Sequence, residues 1–333
     1  MEKSTVSQSP LVELEVEEQR NKDEEMISSL PRVQLWEGYD LHQYQGFWCP
    51  SPFIRPMISF QRHFQAQNED IILSTYPKSG AIWLKALTFT IVNRSRYTLE
   101  QSPLHTTFSH QLVPFFETNI YTNNPTPDLE NLPKPRIFAT HAPYSSLPHS
   151  IIDSNCRIVY LCRNPLDQFI SEWKFLLGIQ GGNGEKRSME EAFEMACSGV
   201  QSYGPICEHV LGYWKVSKEQ PNKIHFLKYE DMKEDTNFYV NRLADFLGCP
   251  FSKEEENQGV IEDITTFCSF DSMKKLEANK TAGRSSIGYT TNMFFRKGKV
   301  GDWEDYLTPS MVERLQKLVK KKFDEYGLTF RTS

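Results

Sequence analysis

The chain has no apolar run approaching the roughly 18–20 residues that a membrane-spanning helix needs, so none of its 333 residues predicts a transmembrane segment. Its seven cysteines, at 49, 156, 162, 197, 207, 249 and 268, form no Cys-x-x-Cys pair and no zinc-type spacing. That argues against a metal centre or a redox motif and predicts reduced core thiols. An excess of basic residues is missing too. A net charge of −6 argues against general nucleic-acid binding, although a basic pocket within an acidic protein can still hold a small polyanion. Residues 1–28 contain no aromatic, no apolar leader core and no basic transit character, while carrying Glu2, Glu13, Glu15, Glu17 and Glu18. They predict an acidic, disordered arm, or one that only docks on the domain, and a cytosolic (cytoplasmic) protein. There is no internal repeat, no low-complexity tract, and no Gly-x-x-x-x-Gly-Lys-Ser/Thr around Lys78, the loop that a small-molecule kinase would need.

What remains is an ordinary globular composition, 39% apolar and 24% charged, long enough for a sizeable core. Aromatics gather from Leu30-Pro31 onward (Trp36, Tyr39, Tyr44, Phe47, Trp48), in a stretch that should pack on the domain rather than form one. Short apolar runs at Ile71–Leu73, Arg136–Thr140, Arg157–Cys162 and Lys223–Lys228 alternate with helix-like segments. Strands buried on both faces read as such runs, and helical crossovers join parallel neighbours. The pattern predicts a single α/β domain over residues 29–333, with a central, mostly parallel sheet flanked by helices and its site at the carboxyl ends of the strands. Thr308-Pro309, followed by Met311, Leu315, Leu318, Val319 and Phe323, predicts a structural C-terminal helix. The run 178–184, rich in glycine, predicts a loop, either a lid or a plain connection.

Lys78 is the most informative residue. It lies in Thr75-Tyr76-Pro77-Lys78-Ser79-Gly80-Ala81-Ile82-Trp83, between a strand-like and a helix-like segment. A helix N-terminus offers unpaired N–H groups and a partial positive charge, Gly80 permits close backbone approach, and Lys78 adds a cation. This suits a phosphate, although a lone Lys-Ser-Gly would also suit an ordinary strand-to-helix turn. Arg163 ends the third run, with Ser171 on the following helix; both offer donors to a phosphate, and the alternative is pairing of Arg163 with Asp167. Arg296, Lys297 and Lys299 stand beside Gly298 and Gly301, where backbone N–H groups can converge on an anion. Three anion-binding elements predict a ligand with more than one phosphate. His141 ends the second run and is the candidate general base. The other histidines, at 42, 63, 105, 110, 149, 209 and 225, read as structural or surface residues.

These segments, namely Tyr76-Pro77-Lys78-Ser79-Gly80, Thr140-His141, Tyr160 with Cys162-Arg163-Asn164-Pro165, Lys228-Tyr229-Glu230-Asp231, and Arg296-Lys297-Gly298 with Gly301-Asp302-Trp303, resemble the cytosolic sulfotransferases. That family uses 3′-phosphoadenosine 5′-phosphosulfate (PAPS) as donor and leaves PAP. Ser29-Leu30-Pro31 and Tyr44-Gln45-Gly46-Phe47-Trp48 resemble its plant branch. The resemblance implies a P-loop-like strand-turn-helix in which Lys78, Ser79, Gly80, Ala81, Ile82 and Trp83 hold the phosphosulfate. It further implies that Arg163, Ser171, Arg296, Lys297 and Gly298 hold the 3′-phosphate and that Tyr229 and Phe270 border the adenine with Trp83. Lys78 and His141 are then the catalytic pair, acting on a hydroxyl of a small, mostly apolar acceptor, with no metal.

Three departures qualify this. Ala81-Ile82 stand where the family usually has Thr-Thr, predicting weaker donor binding or a catalytically impaired PAPS/PAP-binding protein. Ala139 stands where some animal members carry a lysine. The family's C-terminal dimer motif, Lys-x-x-x-Thr-Val-x-x-x-Glu, aligns with Glu304, Thr308, Pro309 and Glu313 and loses its lysine and valine, which predicts a monomer.

Overall fold

The computed structural model describes residues 10–36, 39–180, 187–276, 278 and 290–331. Its centre is a four-stranded sheet of β4 (Ile71–Thr75), β5 (Ile137–Thr140), β6 (Arg157–Cys162) and β7 (Ile224–Lys228), preceded in the chain by three N-terminal strands. The central strands lie in the order β5-β4-β6-β7 and pair in parallel throughout. All four fall on the apolar runs read from the sequence.

Alternation along each strand feeds two cores. Ile72, Phe138, Ile158, Tyr160 and Ile224 pack on one face; Ile71, Leu73, Ala139, Val159, Leu161 and Leu227 pack on the other. Both faces are therefore largely buried, which is why these strands read as apolar runs whose polar residues, His225 apart, stand at the strand ends. The chain leaves β4 for β5 on one side and returns to β6 on the other, so a crevice opens above the carboxyl end of β4, where helices cannot cover it.

The aromatic-rich N-terminal stretch forms a small antiparallel sheet of β1 (Arg32–Trp36), β2 (Tyr39–Tyr44) and β3 (Phe47–Pro50). It packs on the domain through Leu35, Tyr39 and Leu41 against Leu176, Met195 and Val200. From Pro10 to Ser29 the acidic arm is a helix, α1, rather than a segment without a fold. Its far end docks on α2 (Ile54–His63) by Asp23–Arg62 and Glu24–Arg55 ion pairs, while Met26 and Ile27 pack on the core.

The glycine-rich loop expected over 178–184 begins later than predicted. Gly178 and Gln180 belong to the helix Pro165–Gln180, and Gly178 lies so close to Met293 that a Cβ there would sit 2.6 Å from its methyl carbon. Gly181 to Gly184 lie outside the described residues. The C-terminal helix spans Pro309–Phe323, with the Thr308 hydroxyl accepting from the Met311 N–H. Leu315 and Phe323 are buried, whereas Leu318 is exposed. No helix among the described residues is long and apolar enough to cross a membrane.

Candidate functional site

Above the carboxyl ends of the parallel strands lies a cavity of about 270 Å³. Of the residues singled out in the sequence, Lys78, Gly80, Ala81, Ile82, Trp83, His141, Arg163, Ser171, Tyr229, Phe270, Arg296, Lys297 and Gly298 all line it. Ser79 does not: it is fully buried beneath the turn, its N–H donating to the Tyr76 carbonyl at 3.2 Å.

The turn from β4 into α3 (Ala81–Asn93) closes with Gly80 at φ +108°. A side chain at Gly80 would be strained by that φ and would also sit 2.9 Å from the Tyr229 ring. The N–H groups of the first helical turn, which have no acceptor within the helix, thus begin at the cavity wall. Lys78 itself has φ +65°. Its ammonium lies 3.8 Å from the centre of the Phe175 ring and 4.8 Å from that of Phe294. Burial, and secondarily Arg296 and Arg163, lower its pKa to about 7, with Glu172 opposing.

His141 sits beside this turn because β5 pairs with β4. Its Nδ1 lies 2.7 Å from the Thr75 carbonyl oxygen. A carbonyl can only accept, so Nδ1 carries the proton and Nε2 of the neutral ring is left as an acceptor. Burial lowers the His141 pKa to about 3, so the ring is neutral near pH 7. The His141 backbone N–H donates to Glu117 Oε1 at 2.6 Å, and the Thr140 hydroxyl to Glu117 Oε2 at 3.1 Å.

Arg163 also lines the cavity, and its pairing with Asp167 is formed. Arg163 lies 3.5 Å from Asp167 and donates to the Lys299 carbonyl at 2.7 Å, yet its buried Nε has no partner among the described residues. Asp167 also accepts from the N–H groups of Gly301 and Trp303, at 2.9 and 3.1 Å, and so ties the start of the helix Pro165–Gln180 to the 296–303 loop. Arg296 is paired with Asp302, leaving its buried Nε without a partner. Tyr229 stacks edge-on against Trp83, lies under the Arg163 guanidinium, and donates its hydroxyl to the Gly298 carbonyl at 3.1 Å.

Several lining residues escaped the sequence reading. Glu172 is buried, its carboxylate accepting from Gln168, Gln201 and the Ser202 N–H, and burial raises its pKa. His110, read as structural or surface, lines the cavity, and burial pushes its pKa well below the usual range. Phe53, Phe115, Phe175, Phe294, Leu176 and Ile179 supply apolar wall. None stands at a strand end or in a spaced motif, so no local signal marked them. Among the described residues, no group of three or more His, Cys, Asp or Glu side chains is placed to hold a metal ion.

Comparison with known proteins places this site in a lineage. Residues 68–327 match the sulfotransferase domain. The chain is 47% identical to cytosolic sulfotransferase 15 of Arabidopsis thaliana, covering 93% of this chain and 87% of that one. To cytosolic sulfotransferase 14 of the same plant it is 46% identical, covering 93% and 91%. Among solved structures, a sulphotransferase from Arabidopsis thaliana superposes with a TM-score of 0.75 at 35% identity over 95% of this chain and 97% of that chain. A mouse sulfotransferase complexed with PAP superposes with a TM-score of 0.65 at 27% identity, over 85% and 95%. The matched span carries every strand-end segment around the cavity, from Lys78 to Gly298, and the chain therefore belongs to the sulfotransferase family of enzymes.

Proposed function

We propose that the protein transfers the sulfuryl group of PAPS to a hydroxyl of a small, mostly apolar acceptor, a plant metabolite or hormone. The observation that carries this reading is the pairing of Lys78 and His141 at the carboxyl ends of adjacent strands, in one cavity, with His141 Nδ1 committed to the Thr75 carbonyl. The ring then presents a basic Nε2, and the lysine presents a cation.

The other polar groups suit the two anionic ends of the donor. Among the described residues, Arg163 and Arg296 each hold a buried guanidinium nitrogen without a partner, and an anion would supply the missing acceptors. The first turn of α3 offers backbone donors to the phosphosulfate, while Trp83, Tyr229 and Phe270 offer ring faces to the adenine. The donor supplies an activated sulfur. His141 takes the acceptor's hydroxyl proton as the acceptor oxygen bonds that sulfur, and Lys78 neutralises charge left on the departing phosphate oxygen. The Phe115, Phe175 and Phe294 rings, with Leu176 and Ile179, line the acceptor's place.

Ala81 and Ile82 offer the donor no hydroxyl, which favours a weakened donor site. Calorimetric titration with PAP tests this. The native chain is expected to bind, and Ala81→Thr/Ile82→Thr to bind at least about ten-fold more tightly, since each hydrogen bond to a charged group contributes about 1.5–3 kcal/mol. Equal affinities would mean that the backbone cradle suffices. Absence of native binding, restored by the two threonines, would instead favour a chain that has abandoned its donor.

A further inference from the structure

His209 is a buried histidine that the mechanism above does not use. It lies on the helix Ile206–Glu219, where residues four apart share a face, so His209 and Tyr213 stand one above the other. That face meets the chain as it leaves β5. His209 Nε2 lies 2.9 Å from the His141 carbonyl oxygen, and the Tyr213 hydroxyl donates to the Ala142 carbonyl at 2.8 Å. Two successive carbonyls past the strand end are thus held from one helix, while Glu117 holds the His141 N–H.

The tautomer of His209 follows from its neighbours. A carbonyl can only accept, so Nε2 carries the proton. Burial lowers the His209 pKa to about 4, so near pH 7 the ring is neutral and Nδ1 is bare. Nδ1 lies 2.9 Å from the Tyr160 hydroxyl oxygen, which therefore donates to it. Tyr160, on β6, stacks in turn on Tyr213, with ring centres 4.2 Å apart. His209 also stands edge-on to Tyr76, at 5.2 Å between centres, two residues before Lys78. One imidazole thus touches both the backbone of the candidate base and the ring that opens the phosphate turn.

We infer that His209 is a positioning residue for sulfuryl transfer: its N–H, oriented by the Tyr160 hydroxyl, holds the His141 carbonyl and so fixes where the His141 ring stands relative to the turn carrying Lys78. His209 does not line the cavity and touches no reacting atom. The need for it comes from the strand. The last pairing of β5 with β4 is Thr140 with Ser74, so the sheet no longer fixes the peptide groups of His141. Its N–H, its carbonyl and its Nδ1 are tied instead by Glu117, His209 and Thr75 respectively. Without the middle tie the peptide can tilt and carry the ring with it, and a displacement of about 1 Å can cost about 100-fold in rate.

This inference rests on His141 serving as base in the reaction proposed above, and the test separates the two. Asparagine places its amide near the site of Nδ1, where it can serve Tyr160 but falls short of the His141 carbonyl. Glutamine reaches the site of Nε2 and can donate to that carbonyl. With PAPS and 4-nitrophenol as substrates, His209→Asn should lower kcat by about ten-fold or more, while PAP affinity by calorimetry changes less than about two-fold. His209→Gln should restore kcat to within about three-fold of the native chain. The nitrogen magnetic resonances of the His141 ring need no turnover. The native chain should show one tautomer, protonated at Nδ1; His209→Asn should show a mixture, and His209→Gln the native pattern.

A merely structural histidine would make the two amide variants equivalent. Equal kcat values for them, or a native His141 spectrum in His209→Asn, overturn the inference. If His209→Asn does not fold, Tyr160→Phe decides: it leaves Nδ1 without its donor, so the His209 ring should show both tautomers, and a single one overturns the inference. Absence of native sulfation would count against the proposed reaction, while the ring spectra still decided the role of His209.

Discussion

Lys78 is expected to impose an alkaline limit on donor capture. Its ammonium titrates near pH 7 in the ligand-free site because burial disfavours the charge. As pH rises through about 7 the lysine loses its proton, so kcat/KM for PAPS should fall. A bound polyanion favours the charged form, so under saturating donor the same limb should appear at higher pH. Lys78→Arg, which cannot deprotonate in this range, should abolish the limb in rate profiles; its persistence would assign it to another group. His141→Ala should lower kcat by about 10²–10⁴-fold while leaving PAP affinity in place. At Gly298, φ is +64° and a Cβ would lie 2.3 Å from the Phe270 ring. Gly298→Ala should therefore weaken PAP binding by about ten-fold or more, through backbone strain and displacement of that ring, as read by calorimetry.

Among the elements, the strap formed by residues 296–303 is tied to the start of the helix Pro165–Gln180 through one carboxylate. Asp167 is fully buried, accepts from the N–H groups of Gly301 and Trp303, and faces Arg163. Asp167→Ala should cost about 3–5 kcal/mol in chemical denaturation, because it strands a buried guanidinium, and should weaken PAP binding as the loop detaches. A loss below about 1 kcal/mol would show that the strap is held by other contacts. These elements were unequally legible in sequence. The parallel strands announced themselves because burial on both faces leaves an unbroken apolar run, and their ends carried Lys78, His141, Arg163 and Tyr229 into view. The small N-terminal sheet mixes polar and aromatic residues, and its strand order depends on docking against Leu176 and Met195, which no local pattern encodes. Glu117 lies in a widened helical turn, Phe116–Ile120, and its partners are the Thr140 hydroxyl and His141 amide more than twenty residues away. Helix α1 shows no clear apolar stripe in sequence; among its described side chains, Met26 and Ile27 of the last turns pack on the core.

For the molecule as a whole, stability should respond to pH in two stages. Burial depresses the pKa values of His141 to about 3 and of His209 and His225 to about 4, with His110 also well below normal. The unfolded chain protonates these rings below about pH 6.5, the folded one only far lower, so their contribution is lost as pH falls. Glu117 and Glu230, both raised to about 7, and Glu172, also raised, act in the opposite sense: the folded state binds their protons before the unfolded state does. The two sets largely cancel down to about pH 4.3, below which these three carboxyls are protonated in both states, while the histidines remain and the depressed carboxylates Glu255, Asp23 and Asp302 add to the loss. Urea denaturation should accordingly show a shallow decline from pH 6.5 to about 4.3 and then a steep one, each uncompensated proton contributing about 1.4 kcal/mol per pH unit; a steep decline already by pH 5 would contradict this. The pairs of residues 17–22 run within α1, as in Glu18–Lys22, Arg20–Glu24 and Gln19–Asp23. Removing residues 1–22 should therefore leave sulfuryl transfer unchanged and lower stability by no more than about 1 kcal/mol. The strap at 296–303 also sets the timing of birth on the ribosome. The turn at Lys78 emerges about 200 residues before the loop that completes the cavity wall, and that loop's anchor at Asp167 is made long before its partners Gly301 and Trp303. A nascent chain of this architecture can therefore assemble its central sheet, whose last strand ends at Lys228, before the loop that completes the cavity wall has been made.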